Sequence, residues 1–166
     1  MASGSDILSA KILIVDDDRY IVSLLDIHLK IAGFSQVRSV TDSRRAIAEY
    51  IGFQPDLLIL DLVMPHVDGF MILQTLRELK SRAHNILILT SLNDAETRRK
   101  AMSAGAKDFL TKPFQRDEAV ARITRLLKAR KRQGLLSQCN KELEDISRRM
   151  NRELNACRKL ETEKEQ

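Results

Sequence analysis

Unbroken aliphatic runs alternate with helix-spaced apolar positions along the first three quarters of the chain. Lys11–Val15, Leu57–Leu60 and residues 86–89 are the purest runs. Each is four or five residues long, and turn residues such as Gln54, Pro55 and Asp56 bound them, so they predict strands buried on both faces. Weaker stretches at Gln36–Val40 and Asp108–Thr111 complete a set of five. Between them the period changes. Ile21, Leu24, Leu25, His28, Leu29 and Ile31 predict a helix over 19–32, stopped by Gly33. Ala46, Ile47, Tyr50 and Ile51 mark the buried face of a second helix, entered through the capping residues Thr41, Asp42 and Ser43 and ended before Gly52. Phe70, Ile72, Leu73, Leu76 and Leu79 stripe a third, with Arg77, Glu78 and Lys80 toward water. Asn93 or Asp94 caps a fourth that runs through Ala104 to Gly105. This alternation predicts an α/β fold, a doubly wound five-stranded parallel sheet with right-handed crossovers.

After Phe114, glycine and proline nearly vanish. Val120, Ile123, Leu126 and Leu127 form the stripe of a fifth helix that closes a domain spanning 11–128. Farther on, Leu136, Cys139, Leu143, Ile146, Met150, Cys157 and Leu160 fall on a three-four heptad frame, broken by Glu153 with Leu154 beside it. Residues 129–166 therefore read as a long helix suited to a parallel coiled-coil homodimer. A single amphipathic helix folded against its own domain is the competing reading. Gly134, at the junction, is a candidate bend or hinge.

Charge and composition narrow the class. The net charge of +5 sits wholly in residues 116–166, since residues 1–115 are balanced. Its densest piece, residues 128–132, has no interleaved aromatic and reads as a solvated helix face rather than a nucleic-acid surface. No apolar run approaches the roughly 18 to 20 residues needed to cross a bilayer, and no signal pattern opens the chain, so a cytoplasmic protein without membrane contact is expected. Two cysteines, Cys139 and Cys157, make neither a disulfide framework nor a zinc site. Residues 1–10 begin with small polar residues and read as a disordered start or a cloning remnant.

A parallel sheet binds ligands beyond the carboxyl ends of its strands. Those ends here deliver Asp16 and Asp17 from the first strand, Asp61 from the third, Thr90 from the fourth and Lys112 from the fifth. Three carboxylates within a few ångströms repel, at up to about 4 kcal/mol per close pair for an effective dielectric near 20. Something positive must hold them. A hard divalent cation with oxygen ligands, Mg²⁺ above all, fits such a cluster, and Lys112 adds a further positive charge.

The motifs Val15-Asp16-Asp17, Leu60-Asp61 with Met64-Pro65 three residues on, Leu89-Thr90-Ser91 and Thr111-Lys112-Pro113-Phe114 resemble those of the receiver domain of two-component response regulators. The resemblance covers roughly residues 10–128 and implies a flavodoxin-like fold and a phosphorylation switch. On that resemblance Asp61 takes a phosphoryl group from the phosphohistidine of a sensor histidine kinase or phosphotransfer protein. Asp16, Asp17, Asp61 and the backbone carbonyl of Val63 would hold Mg²⁺, and Lys112 would pair with the phosphoryl oxygens. Thr90 would turn toward the new phosphate, and Phe109 would rotate into the space it leaves. The state would then be read on the face of the fourth helix, fifth strand and fifth helix. Beyond self-catalysed phosphoryl transfer to and from Asp61, no enzyme activity is expected of this chain.

Two departures bear on the chemistry. Phe109 stands where tyrosine is frequent in that family, which leaves ring packing without a phenolic hydrogen bond. Val63 and Leu92, two residues beyond Asp61 and Thr90, are apolar where the family tunes water attack on the phosphate, so slow self-dephosphorylation is expected. Phosphatases of the haloacid-dehalogenase type also form an aspartyl phosphate but need a second acid where Val63 stands. A dinucleotide fold needs a glycine-rich turn where Asp16-Asp17-Asp18 stands. His66 reads as a solvated loop residue, and His28 and His84 as structural or exposed.

Because residues 161–166 are still helical in composition, a downstream output domain is expected beyond them. By analogy of architecture it would be a cyclic-dinucleotide enzyme or a phosphatase-like domain. A DNA-binding output is the alternative, and a stand-alone dimeric adaptor is a third.

Overall fold

The structure, a computed structural model, describes residues 7–79, 85–92 and 94–164, with side chains as far as residue 154. The expectations placed on residues 1–5, Lys80, His84 and Asn93, and on the side chains of Cys157 and Leu160, lie outside the described residues.

Chain contacts divide the protein into Met1–Arg130 and Lys131–Gln166. In the first unit, strands β1 (Lys11–Val15), β2 (Gln36–Val40), β3 (Leu57–Leu60), β4 (Ile86–Thr90) and β5 (Asp108–Thr111) alternate with helices α1 (Arg19–Ile31), α2 (Ala46–Phe53), α3 (Gly69–Glu78), α4 (Ala95–Ser103) and α5 (Arg116–Lys164). All strands are parallel, in the order β2-β1-β3-β4-β5. The order reverses between β1 and β3, which is where an open α/β sheet leaves a crevice at its carboxyl edge.

The all-aliphatic strands are central for a simple reason: both faces must be covered. Every residue of β3 and β4 is buried, and so are four of the five in β1. Ile12, Ile14, Leu57, Ile59, Leu87 and Leu89 face one core with Leu25 and Leu29 of α1 and Ile123 of α5. Leu13, Val15, Leu58, Leu60, Ile86 and Ile88 face the other with Ile72, Leu73 and Leu76 of α3. The edge strand β2 is mostly exposed, which matches its polar sequence.

Helix entries follow the caps written in the sequence. Asp18, Asp68 and Asp94 accept backbone N–H bonds at the starts of α1, α3 and α4. Asp42 instead caps a three-residue 3-10 turn, Ser43–Arg45, that leads into α2. Several expectations need correction. Ile31 and Ile51 are 65% and 54% exposed rather than core residues, and Leu79 lies at the C-cap of α3, also exposed. The second helix runs through Gly52 to end at Phe53. Val22 is a core residue of α1 that the periodic reading passed over. Helical structure continues through Gly134, the candidate bend or hinge.

In the second unit α5 continues to Lys164. Leu136, Leu143, Ile146 and Met150 are each more than half exposed, and Cys139 is exposed. Among the described residues, no helix is long and apolar enough to cross a membrane.

Candidate functional site

The carboxyl ends of β1 and β3 meet at the reversal of strand order. There the Asp16 N–H bonds Val40 and the Asp61 N–H bonds Val15, so the backbone holds each acid one residue beyond its strand. Asp16 is 1% exposed and Asp61 5%, while Asp17 stands in solvent beside them. A ligand oxygen from each of the three lies within 4.8 Å of the other two. The sequence expectation for these residues concerned position, and the sheet supplies it.

Lys112 arrives from β5, its backbone N–H bonded to the Thr90 carbonyl at 2.9 Å. Its ammonium donates to Asp61 Oδ2 at 2.7 Å and lies 2.6 Å from Asp16 Oδ2. The two contacts differ in kind. The first meets the angular requirements of a hydrogen bond; the second is a close ion pair of poorer angle, so the hydrogen-bonding capacity of the buried Asp16 Oδ2 is only partly met. Asp16 Oδ1 accepts the Asp18 N–H at 3.0 Å, and Asp61 Oδ1 accepts the Val63 N–H at 3.2 Å. One ammonium thus faces two buried carboxylates and an exposed third.

Titration behaviour follows from that imbalance. Burial pushes the Asp16 carboxyl above the ordinary aspartate value, with the Lys112 hydrogen bond and charge opposing but not cancelling it. Burial also acts on Lys112, but the two carboxylates outweigh it and hold the ammonium above its ordinary range. Lys112 is therefore firmly charged, while Asp16 lacks a full share of positive charge. An oxygen-liganded dication is the group this donor set fits. The unspent lone pairs of Asp16 Oδ2 point to the same conclusion, and hard carboxylate oxygens suit Mg²⁺ better than a softer metal.

Thr90 closes the far side of the site. It is fully buried, and its hydroxyl accepts the Leu92 N–H at 3.4 Å. Phe109, two strands from Asp61, is 4% exposed, with the Arg98 guanidinium of α4 5.0 Å from its ring centre. The sequence expectation had this ring moving inward; here it is inside already. Val63 and Leu92 flank the site with 54% and 38% of their surface in solvent. His66 is an exposed loop residue, as expected, and Met64 packs in the core. His28 is half-buried, edge-on to Phe114 across α1.

One participant escaped the sequence reading. Ser43, taken there as a helix cap, is 4% exposed and bonds the loop that follows Asp61. Its neighbour Asp42 does the capping, and nothing in the local pattern distinguishes the two.

Comparison with known proteins agrees with this geometry. The response regulator receiver domain model matches residues 12–124. The chain is 40% identical over 119 residues to the DNA-binding dual master transcriptional regulator RpaA of Synechocystis, covering 71% of this chain and 49% of that protein. It is 37% identical over 126 residues to the response regulator MprA of Mycobacterium bovis, covering 75% and 53%. The chain thus spans about half the length of the curated relatives it matches. Among solved structures, the signal receiver domain of a response regulator from Bermanella marisrubri superposes with a TM-score of 0.65 at 33% identity, over 72% of this chain and 98% of that one. With the matched segment running from β1 into α5 and taking in every strand end of the acidic site, this chain belongs to the response regulator receiver domain family.

Proposed function

We propose that the chain is the phosphoacceptor of a two-component system, taking a phosphoryl group onto Asp61 from the phosphohistidine of a sensor kinase or phosphotransfer protein. The observation that carries this is the Lys112 ammonium set between Asp61 Oδ2 and Asp16 Oδ2, with Asp17 alongside. A carboxylate oxygen of Asp61 attacks phosphorus, the P–N bond to the donor imidazole breaks, and an acyl phosphate forms. The reaction asks the protein for position and charge neutralisation rather than for a general base. Lys112 supplies one positive charge and follows the phosphoryl oxygens as they arrive. Asp16, Asp17, Asp61 and the Val63 carbonyl would hold Mg²⁺, which would supply positive charge against the acids and the incoming phosphoryl oxygens. Thr90 turns its hydroxyl from the Leu92 amide toward the phosphoryl group, and Phe109, with Arg98 over its ring, reports that movement to α4 and β5.

The protein acts in the cytoplasm, where its kinase partners present phosphohistidine. The exposed heptad stripe of α5 supports a parallel homodimer, since an isolated helix gains nothing by leaving Leu136, Leu143, Ile146 and Met150 in water. The output remains a proposal of two forms. A helical rod suits a cyclic-dinucleotide enzyme or phosphatase-like domain; the transcriptional regulators among the relatives favour a DNA-binding output. Substituting Asp61→Asn tests the central reading: labelling by a small-molecule phosphodonor with Mg²⁺ is expected to disappear while far-ultraviolet circular dichroism is unchanged. Undiminished labelling would overturn it.

A further inference from the structure

A single buried hydroxyl fastens the loop that follows the phosphoacceptor. Ser43, at the start of the 3-10 turn Ser43–Arg45, is 4% exposed. Its Oγ donates to the Pro65 carbonyl at 2.5 Å and accepts the Val67 N–H at 3.1 Å. That same N–H reaches the Pro65 carbonyl at 2.9 Å, closing a three-residue γ-turn about His66. His66 has φ +71°, a left-handed conformation that a residue with a side chain keeps only where its surroundings hold it there. Ser43 bonds both ends of this strained turn, from a different strand connection 22 residues away.

The turn begins two residues after Val63. Between them Met64 is 8% exposed and packed in the core, and the Val63 N–H bonds Asp61 Oδ1 at 3.2 Å. Downstream, the Gly69 N–H bonds the Leu62 carbonyl at 3.0 Å. The span from Asp61 to Pro65 is therefore tethered at the nucleophile, at Leu62 and at Pro65, and the last tether depends on the Ser43 hydroxyl. Loss of that tether releases the strained turn, which Met64 alone separates from Val63 and its bond to Asp61.

We propose that Ser43 is a positioning residue for the phosphoacceptor site, acting through the Pro65–Val67 turn to hold the Val63 backbone, whose N–H bonds Asp61 Oδ1, in place beside the acidic cluster. This rests on the reading of Asp61 as a Mg²⁺-dependent phosphoacceptor. A serine that merely joined two loops would change stability and leave the cluster's affinity for a cation alone.

The test is calorimetric titration of the full chain with Mg²⁺, beside thermal melting, for the wild type, Ser43→Ala and Ser43→Cys. Ser43→Ala is expected to weaken Mg²⁺ binding roughly tenfold, the scale of one lost hydrogen bond within the site's support. Ser43→Cys, which keeps the volume and a weaker donor, is expected to fall between the two, and it carries the comparison if the alanine variant does not fold. Hydrogen exchange at the Val67 amide should quicken in step. A lowered melting temperature with unchanged Mg²⁺ affinity in either folded variant overturns the positioning role. Absence of Mg²⁺ binding by the wild type overturns the reading of the site itself, which separates the two failures.

Discussion

Charge neutralisation at the site is shared unequally among its residues, and that inequality has measurable consequences. Lys112 meets both Asp61 and Asp16, but burial outweighs its hydrogen bond and charge at Asp16, whose carboxyl stays above the ordinary value. Beside them Val63 and Leu92 present hydrocarbon to the water that would attack an acyl phosphate. Phosphate loss from Mg²⁺-loaded protein should accordingly be slow, and a polar residue at either position should change the rate; a half-life of seconds in the wild type would refute the account. Acidic groups away from the centre behave differently. Asp42 receives two bonds from the Arg44 guanidinium, at 2.9 Å each, which hold its pKa down at about 2. A carboxyl lowered on folding contributes stability that is present above about 3.8 and is lost as pH falls through about 2. Carbon-detected NMR titration of Asp42 should give that low midpoint, and Arg44→Ala should return it toward the ordinary aspartate value; a midpoint that Arg44→Ala left in place would exclude the guanidinium as the cause. Asp16, Asp61 and Lys112 were legible in the sequence because each closes a strand-forming run. Ser43 was not, because its partners, Pro65 and Val67, lie on another connection and leave no periodic trace.

Among the elements, strands were easier to read than helices. Complete burial of β3 and β4 forces an uninterrupted aliphatic sequence, whereas a surface helix needs only part of one face apolar, and residues at the margin such as Ile31 and Ile51 can lie on either side. The 3-10 lead-in to α2 was hidden for a related reason: Asp42 caps a tight turn and a helix alike. A close approach between elements sets the strongest constraint. Gly69, at the start of α3, has no room for a side chain, since a Cβ there would lie 2.3 Å from the Asp61 carbonyl oxygen and 2.7 Å from the Leu62 Cα. Both obstacles are backbone, so one of the two segments must move. Gly69→Ala is expected to cost about 1–3 kcal/mol, as overpacking typically does, and to displace Asp61 enough to slow its labelling. Chemical denaturation and a labelling time course check it together; wild-type values in both would show that the contact yields without strain.

At the scale of the whole molecule, a domain whose every strand end was predictable is followed by a helix that carries an exposed apolar stripe. Heptad spacing revealed the stripe, and the exposure of Leu143 and Ile146 shows it uncovered within one chain. The full chain is expected to scatter light as a dimer with beryllofluoride and Mg²⁺, without them, or in both conditions. Leu143→Lys with Ile146→Lys should make it a monomer throughout, and a wild-type monomer under both conditions would remove the case for the rod. The identity of the phosphoacceptor underlies all of this, and one measurement addresses it directly: the chain is treated with a phosphodonor and Mg²⁺, the acyl phosphate is reduced with borohydride, and the modified peptide is located by mass spectrometry. The account predicts a single modified residue, Asp61, and no modification when Mg²⁺ is chelated. Modification at Asp16, Asp17 or a histidine, with Asp61 untouched, would contradict it.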